Sequence, residues 1–479
     1  MLLDNFRRKL RTEAQLWQSE GLIDADLYQR LAQRYEFDHL ETAARDRFVF
    51  ILIAVGAILL GLGVITFVAA NWQALTREVK LILLLSLFLV TNITGFSLWK
   101  PATRNNQSSR DRKRRQRVLG EGLLIVGSLT IGANMALLAQ MYHVNGSSYE
   151  LFLGWGLAVL LMAYSLRLTS LGMLALILML MGSWIGLFNW YYAVNELTWG
   201  VTVIEHLPLV LSLLFVPLAY WCRSRWIFRI TAIAFVISWQ SHLRSLEVIT
   251  YTDTPLWLTI AAFTVPPALL WSYDDSLFRQ VNSKRFQPFA RSLTWAFFSI
   301  TFYFLSFRWL WQARMIGYQT QFRNTPLATW LPFLDVAIFI ILAVWQWWHL
   351  LRPTPNQQRQ PIEVKSIFIG SLIVITALVI FVHQAITPIQ VIPIFAFNLL
   401  LAVLAFKLIR EALELGERRP FWGGIVLLTL QIISRMLEYD TALLFKSLIF
   451  VLCGVGVIIA GLWFERYLSS RPTISENNS

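Results

Sequence analysis

Fourteen apolar runs follow one another between positions 48 and 464, and they limit the fold of this chain more tightly than any other property. They lie near 48–70, 79–99, 118–141, 149–166, 168–190, 204–222, 226–241, 255–273, 289–307, 326–350, 364–383, 388–409, 419–437 and 443–464. A hydrocarbon core about 30 Å thick needs about 20 helical residues to cross it. Inside lipid, every backbone N–H and C=O must be satisfied by the chain itself, which leaves helices and closed barrels. Barrel strands alternate apolar and polar residues, and these runs do not. The expected fold class is therefore all-α: a polytopic transmembrane helix bundle of about 14 spans.

Charge patterning agrees. Only 14% of the 479 residues are charged, against about 25% in an average soluble chain. Disorder, a disulfide scaffold and a water-soluble enzyme are disfavoured on that ground. The net charge of +13 is carried in short segments between apolar runs, so no nucleic-acid partner is expected. With a cytoplasmic N-terminus and fourteen spans, 33 of the 41 Lys and Arg residues fall inside and 8 outside. Short loops obey the positive-inside rule, so this bias places both termini in the cytoplasm of a bacterial inner membrane. Eight of the inside charges crowd the 100–117 loop, which can lock topology and also contact anionic lipid.

Tryptophans at helix ends read as two aromatic belts. Trp72, Trp190, Trp199, Trp257, Trp309, Trp311 and Trp330 fall at outer ends. Trp99, Trp221, Trp226, Trp271, Trp345, Trp347, Trp348, Trp422 and Trp463 fall at inner ends. Two cysteines, Cys222 and Cys453, form no C-x-x-C pair and imply no disulfide framework.

The chain divides by pattern into segments. Residues 1–46 are polar and helix-patterned, and read as a short cytosolic helical hairpin without the h-region of a signal peptide. Leu16, Trp17, Leu22, Ile23, Leu27, Leu31 and Tyr35 form its expected apolar side. Gly21 is placed to end the first helix, and Asp24 to cap the second. Residues 47–190 read as a first five-helix membrane unit, 191–418 as central membrane helices, 419–466 as a C-terminal helix pair and 467–479 as a flexible tail.

Polar groups within the runs are the candidate functional residues, because an ionisable side chain in a membrane helix is costly. Asp335 is the one acid well inside a run; Glu121 lies near an inner helix end. Asn134 and Asn398 lie near mid-helix, where amides bridge helices. His143, His206, His242 and His383 fall at outer ends, where interfacial hydrogen bonding is expected of them. They lack His-x-x-x-His spacing, so neither a metal nor another cofactor is expected. Pro208, Pro217, Pro266, Pro267, Pro332 and Pro393 interrupt helices as kinks or as broken segments. Gly182 and Gly186 form a small-xxx-small packing contact. At the outer ends of the first and third runs, Asn71 and Trp72 are expected to meet Gln140, Tyr142 and His143 in one outer-face motif.

Several of these segments carry a family likeness. They are Leu-Trp-Gln-Ser-Glu-Gly-Leu-Ile (16–23), Ala-Ala-Asn-Trp (69–72) and Val-Lys-Leu (79–81). Gly-Ala-Asn-Met-Ala-Leu-Leu-Ala-Gln-Met-Tyr-His (132–143) is the longest, followed by Tyr-Glu-Leu-Phe-Leu-Gly-Trp (149–155). With Leu-Leu-Phe-Lys-Ser-Leu-Ile-Phe (443–450) and Phe-Glu-Arg (464–466), the chain resembles an uncharacterised bacterial family of multi-spanning membrane proteins with a domain of unknown function. The family often has an acidic residue after the loop glycine, where this chain has Ser147. The resemblance implies an inner-membrane location and no known activity.

No nucleophile–base set, phosphate loop or metal signature appears, so catalysis is not expected. The expected function is transport or flipping of a small or amphipathic solute. The alternative is a non-transporting scaffold or envelope sensor that recruits partners through its N-terminal hairpin; a membrane or periplasmic protein is a further expected partner.

Overall fold

A computed structural model describes residues 2–35, 59, 74–100, 110–143, 147–190, 198–243, 256–275, 286–311, 326–351, 364–386, 391–439 and 442–470. Among the described residues every regular element is helical. The chain divides into two units, Met1–Ser86 and Leu87–Ser479.

In the first unit, α1 (Leu2–Ser19) and α2 (Ala25–Tyr35) meet at Ala14, which is fully buried. Leu10, Trp17, Ile23, Tyr28 and Ala32 surround it, and the missing side-chain bulk at 14 and 32 lets the helices approach. Gly21 takes a left-handed backbone, φ 73°, and Leu22 N donates to Trp17 O at 2.8 Å, a closure that ends α1. Asp24 Oδ1 accepts from Leu27 N at 2.8 Å and caps α2. The expected apolar side is only half used, because Leu16, Leu22 and Leu27 stay exposed.

The remaining helices are α3 (Arg77–Trp99), α4 (Arg110–Met141), α5 (Ser148–Leu166), α6 (Thr169–Trp190), α7 (Trp199–Glu205), α8 (Leu207–Trp221), α9 (Arg225–His242), α10 (Leu256–Ser272) and α11 (Gln287–Leu305). After them come α12 (Arg308–Trp311), α13 (Pro326–Leu351), α14 (Val364–Phe381), α15 (Val391–Leu415), α16 (Arg418–Glu438) and α17 (Leu443–Ser470).

Nine of the described helices are long and apolar enough to cross a membrane, and ten if the bent α7–α8 pair counts as one span. Five of the fourteen runs fall outside the nine, each for its own reason. Run 48–70 lies almost wholly outside the described residues. Run 204–222 is broken into α7 and α8, which diverge by 81°. The α9 helix carries Arg225 and Arg229 in its first two turns. With 17 residues, α10 falls short of a full crossing, and α11 mixes Gln287, Arg291 and several hydroxyls into its 19. The chain is a multi-pass membrane protein by its several apolar helices; the finer count is taken up below.

Two apolar clusters organise the second unit. One gathers α5, α6, α8 and the first half of α9 around Leu171, Leu211, Phe215 and Ile227. The other gathers the second half of α9 with α10, α11, α13, α14 and α15 around Trp239, Phe298, Phe339 and Phe397. Small residues set the closest approaches. A Cβ at Gly182 would lie 3.0 Å from Tyr149 O, and one at Gly186 would lie 2.2 Å from Ile204 Cδ1. The small-xxx-small pair therefore seats α5 and α7 against α6.

Among the described residues most belt tryptophans are exposed, Trp226, Trp257, Trp309 and Trp348 among them. Trp271 and Trp311 are not. Both are buried core residues, with Nε1 donating to Ser366 Oγ (3.0 Å) and Leu305 O (2.7 Å) respectively. A satisfied indole N–H lets tryptophan serve as core rather than as interface anchor.

A candidate intramembrane site at a helix break

The site begins with a local break in the chain. Thr198 caps α7 by accepting from Val201 N, and its Oγ1 lies 3.1 Å from Tyr149 Oη. Gly200 lies against Tyr149 and Glu150, where a Cβ would come within 2.7 Å of both side chains. Anchored in this way on α5 and α6, α7 ends at Glu205. His206 adopts φ −100° and ψ 22°, in the bridge region between helical and extended backbone, and α8 starts at once with Pro208 in its first turn. Proline lacks an N–H and is tolerated in a first turn, so a second helix starting here is favoured over one continuous helix.

The break turns the His206 side chain toward α13. His206 Nδ1 lies 2.9 Å from Asp335 Oδ1. The Asp335 side chain is fully buried and that of His206 is 12% exposed. Nine rises of 1.5 Å put Asp335 about 14 Å along α13 from Pro326.

The surroundings are apolar and incomplete in hydrogen bonding. Val336 and Phe339 of α13 belong to one apolar cluster and Leu207 of α8 to the other, so the pair joins the two. Phe339 packs edge-on to Trp239 (5.4 Å) and to Phe235 (5.2 Å). Asp335 Oδ2 and His206 Nε2 are both buried and without a hydrogen-bond partner. Two ionisable groups share one bond and keep one further polar atom each, which suits proton transfer or contact with a polar solute group.

The other sequence candidates separate. Asn71 and Trp72 lie outside the described residues, so their meeting with the end of α4 is not part of the geometry. Gln140, Tyr142 and His143 are exposed at that end, with His143 in a left-handed backbone. Asn134 Nδ2 donates to Thr130 O within α4 at 2.8 Å. Asn398 bridges helices as expected, donating to Ser306 O at 3.2 Å and receiving Gln431 Nε2 at its carbonyl.

Two further polar groups were not anticipated. Asp275 is buried; its Oδ2 accepts from Phe286 N and Gln287 N, and its Oδ1 from Tyr220 Oη at 2.5 Å. It thereby caps α11. The neighbouring Tyr273 hydroxyl lies 2.7 Å from that of Tyr220 and extends this structural network. Among the described residues, no three His, Cys, Asp or Glu side chains converge to hold a metal ion.

His206 was within reach of sequence reasoning through its spacing to Pro208, which marks a helix start two residues on. Its partner was not, being 129 positions away.

No curated protein and no solved structure matches the chain. Residues 15–172, about a third of its length, match the family described as "Predicted membrane protein (DUF2157)", a domain of unknown function.

Proposed function

We propose that this protein moves a small or amphipathic solute across, or between the leaflets of, a bacterial inner membrane. The observation that carries this reading is the His206–Asp335 pair, held at a helix break between two apolar clusters. A buried acid–imidazole pair brings little net stability, because desolvation cancels most of the attraction. Its enclosure among apolar helices fits a group that meets a solute or a proton. Broken helices beside such groups are the binding elements of many transporters. In this reading about fourteen spans cross the membrane, both termini and a helical hairpin of residues 1–46 are cytoplasmic, and the 100–117 loop contacts anionic lipid.

The test is reconstitution of the full chain into vesicles carrying a fluorescent phospholipid, with dithionite added outside to report flipping. A parallel set of vesicles holds small dyes and reports solute passage. Wild-type protein is expected to accelerate one of these processes, and Asp335→Asn to abolish the gain. Rates equal to protein-free vesicles in both assays refute the reading.

One observation favours a second reading, a non-transporting scaffold. Leu16, Leu22 and Leu27 are exposed on the small N-terminal helix pair, an apolar surface of the kind that marks partner binding. Recovery of a specific partner by residues 1–46, together with inert vesicles, supports the scaffold instead.

A further inference from the structure

A second buried polar group lies where α11, α12, α15 and α16 converge. Arg435, in the last turn of α16, is 11% exposed. Its Nη1 donates to Ser306 O, the terminal carbonyl region of α11, and pairs with Glu438. Glu438 Oε1 in turn accepts from Arg308 N at 2.6 Å. The Phe307 ring lies 4.0 Å from Arg435 Cζ and fixes the plane of the guanidinium.

These contacts use one corner of the guanidinium. Nε and Nη2 are both buried and have no hydrogen-bond partner. They are not two arbitrary atoms: together they form the side-on edge of the guanidinium, whose parallel N–H bonds match two oxygens of one carboxylate or phosphate. A charged donor pair left bare in a buried position is unfavourable. Glu438 occupies the opposite side, so it orients the group without filling this edge.

We propose that the Nε–Nη2 edge of Arg435 binds a two-oxygen anion, a phosphate or carboxylate group. The group comes either from a lipid headgroup at the end of α16 or from a free anion. Because both nitrogens are enclosed, the side chains over them must part to admit the ligand, and exchange is slow. The inference is independent of the transport reading, which involves neither Arg435 nor its helix.

The test uses the full chain and two arms. In detergent, the midpoint of thermal unfolding is followed against sodium phosphate, sodium acetate and sodium chloride at matched ionic strength. In nanodiscs, phosphatidylglycerol is compared with phosphatidylcholine. Phosphate or acetate raising the midpoint above chloride identifies a free anion; a rise with phosphatidylglycerol alone identifies a headgroup. Arg435→Lys keeps the charge and loses the planar edge, and is expected to weaken the effect about tenfold in half-saturating concentration. Glu438→Gln keeps an oxygen that can accept from Nη1 but removes the neighbouring negative charge that repels an incoming anion, and is expected to strengthen it several-fold. It also provides the readout should Arg435→Lys fail to fold. No stabilisation in either arm overturns the proposal. So does stabilisation that Arg435→Lys and Glu438→Gln both leave unchanged, since the anion then binds elsewhere.

Discussion

Replacing Asp335 with leucine leaves His206 facing an apolar wall with no acceptor at Nδ1. At 2.9 Å, full charges attract by ~6 kcal/mol at an effective dielectric constant of 20. Burying each ion costs several kcal/mol, so the intact pair is close to neutral in net stability. Removing one partner leaves the other enclosed and unsatisfied, and costs about 3–5 kcal/mol. Replacing both, His206→Leu with Asp335→Leu, removes the unsatisfied group and is expected to cost ~1 kcal/mol or less. The assay is reversible unfolding in mixed micelles of dodecyl maltoside and SDS, followed by tryptophan fluorescence, over the complete double-mutant cycle. A double variant as unstable as Asp335→Leu alone refutes the reasoning, because the pair would then stabilise the fold by more than mutual satisfaction. A single variant that costs under ~1 kcal/mol refutes it from the other side, since no enclosed orphan would have been created.

Neighbouring glycines in α16 offer an internal control. A Cβ at Gly424 would lie 2.7 Å from Ala405 O, whereas one at Gly423 meets nothing within 4 Å. In the same micelles, Gly424→Ala is expected to lose about 1–3 kcal/mol and Gly423→Ala to gain up to about 1 kcal/mol from helix propensity. Alkaline phosphatase fused after Arg115 or after Arg471 should be inactive, and activity at either point overturns the proposed topology.

The helices were largely legible because each rests on a local signal: an apolar run, a cap, or a left-handed glycine such as Gly21. The glycine pair 182 and 186 was read correctly as packing for the same reason. In the run 204–222 Pro208 signals an interruption, but one dimension does not tell a kink from the 81° break that separates α7 and α8. Trp271 and Trp311 misled because their position near a helix end is local, while the acceptors that let them be buried are set by packing. The candidate site was half visible. Asp335 stood out by its rarity in an apolar run, whereas His206 acquires its meaning only from a contact 129 positions away. The Arg435 cluster was hidden in the same way; a basic residue at a helix end reads as topology until its partners are known.

The last helix, α17, is attached mainly at one end. Phe464 stacks on Phe421 at 4.0 Å, Arg418 reaches Glu465 at 2.8 Å, and Gly461 passes beside Trp422. Away from that end its apolar side chains, Leu443, Val451 and Leu452 among them, turn outward. Lipid tails are as apolar as leucine, so no solvent force presses such a helix against its neighbours. Such a helix is fixed by two tethers, the Phe421–Phe464 contact at one tip and the four residues that join Leu443 to Glu438 at the other, and the apolar surface between them is left to acyl chains.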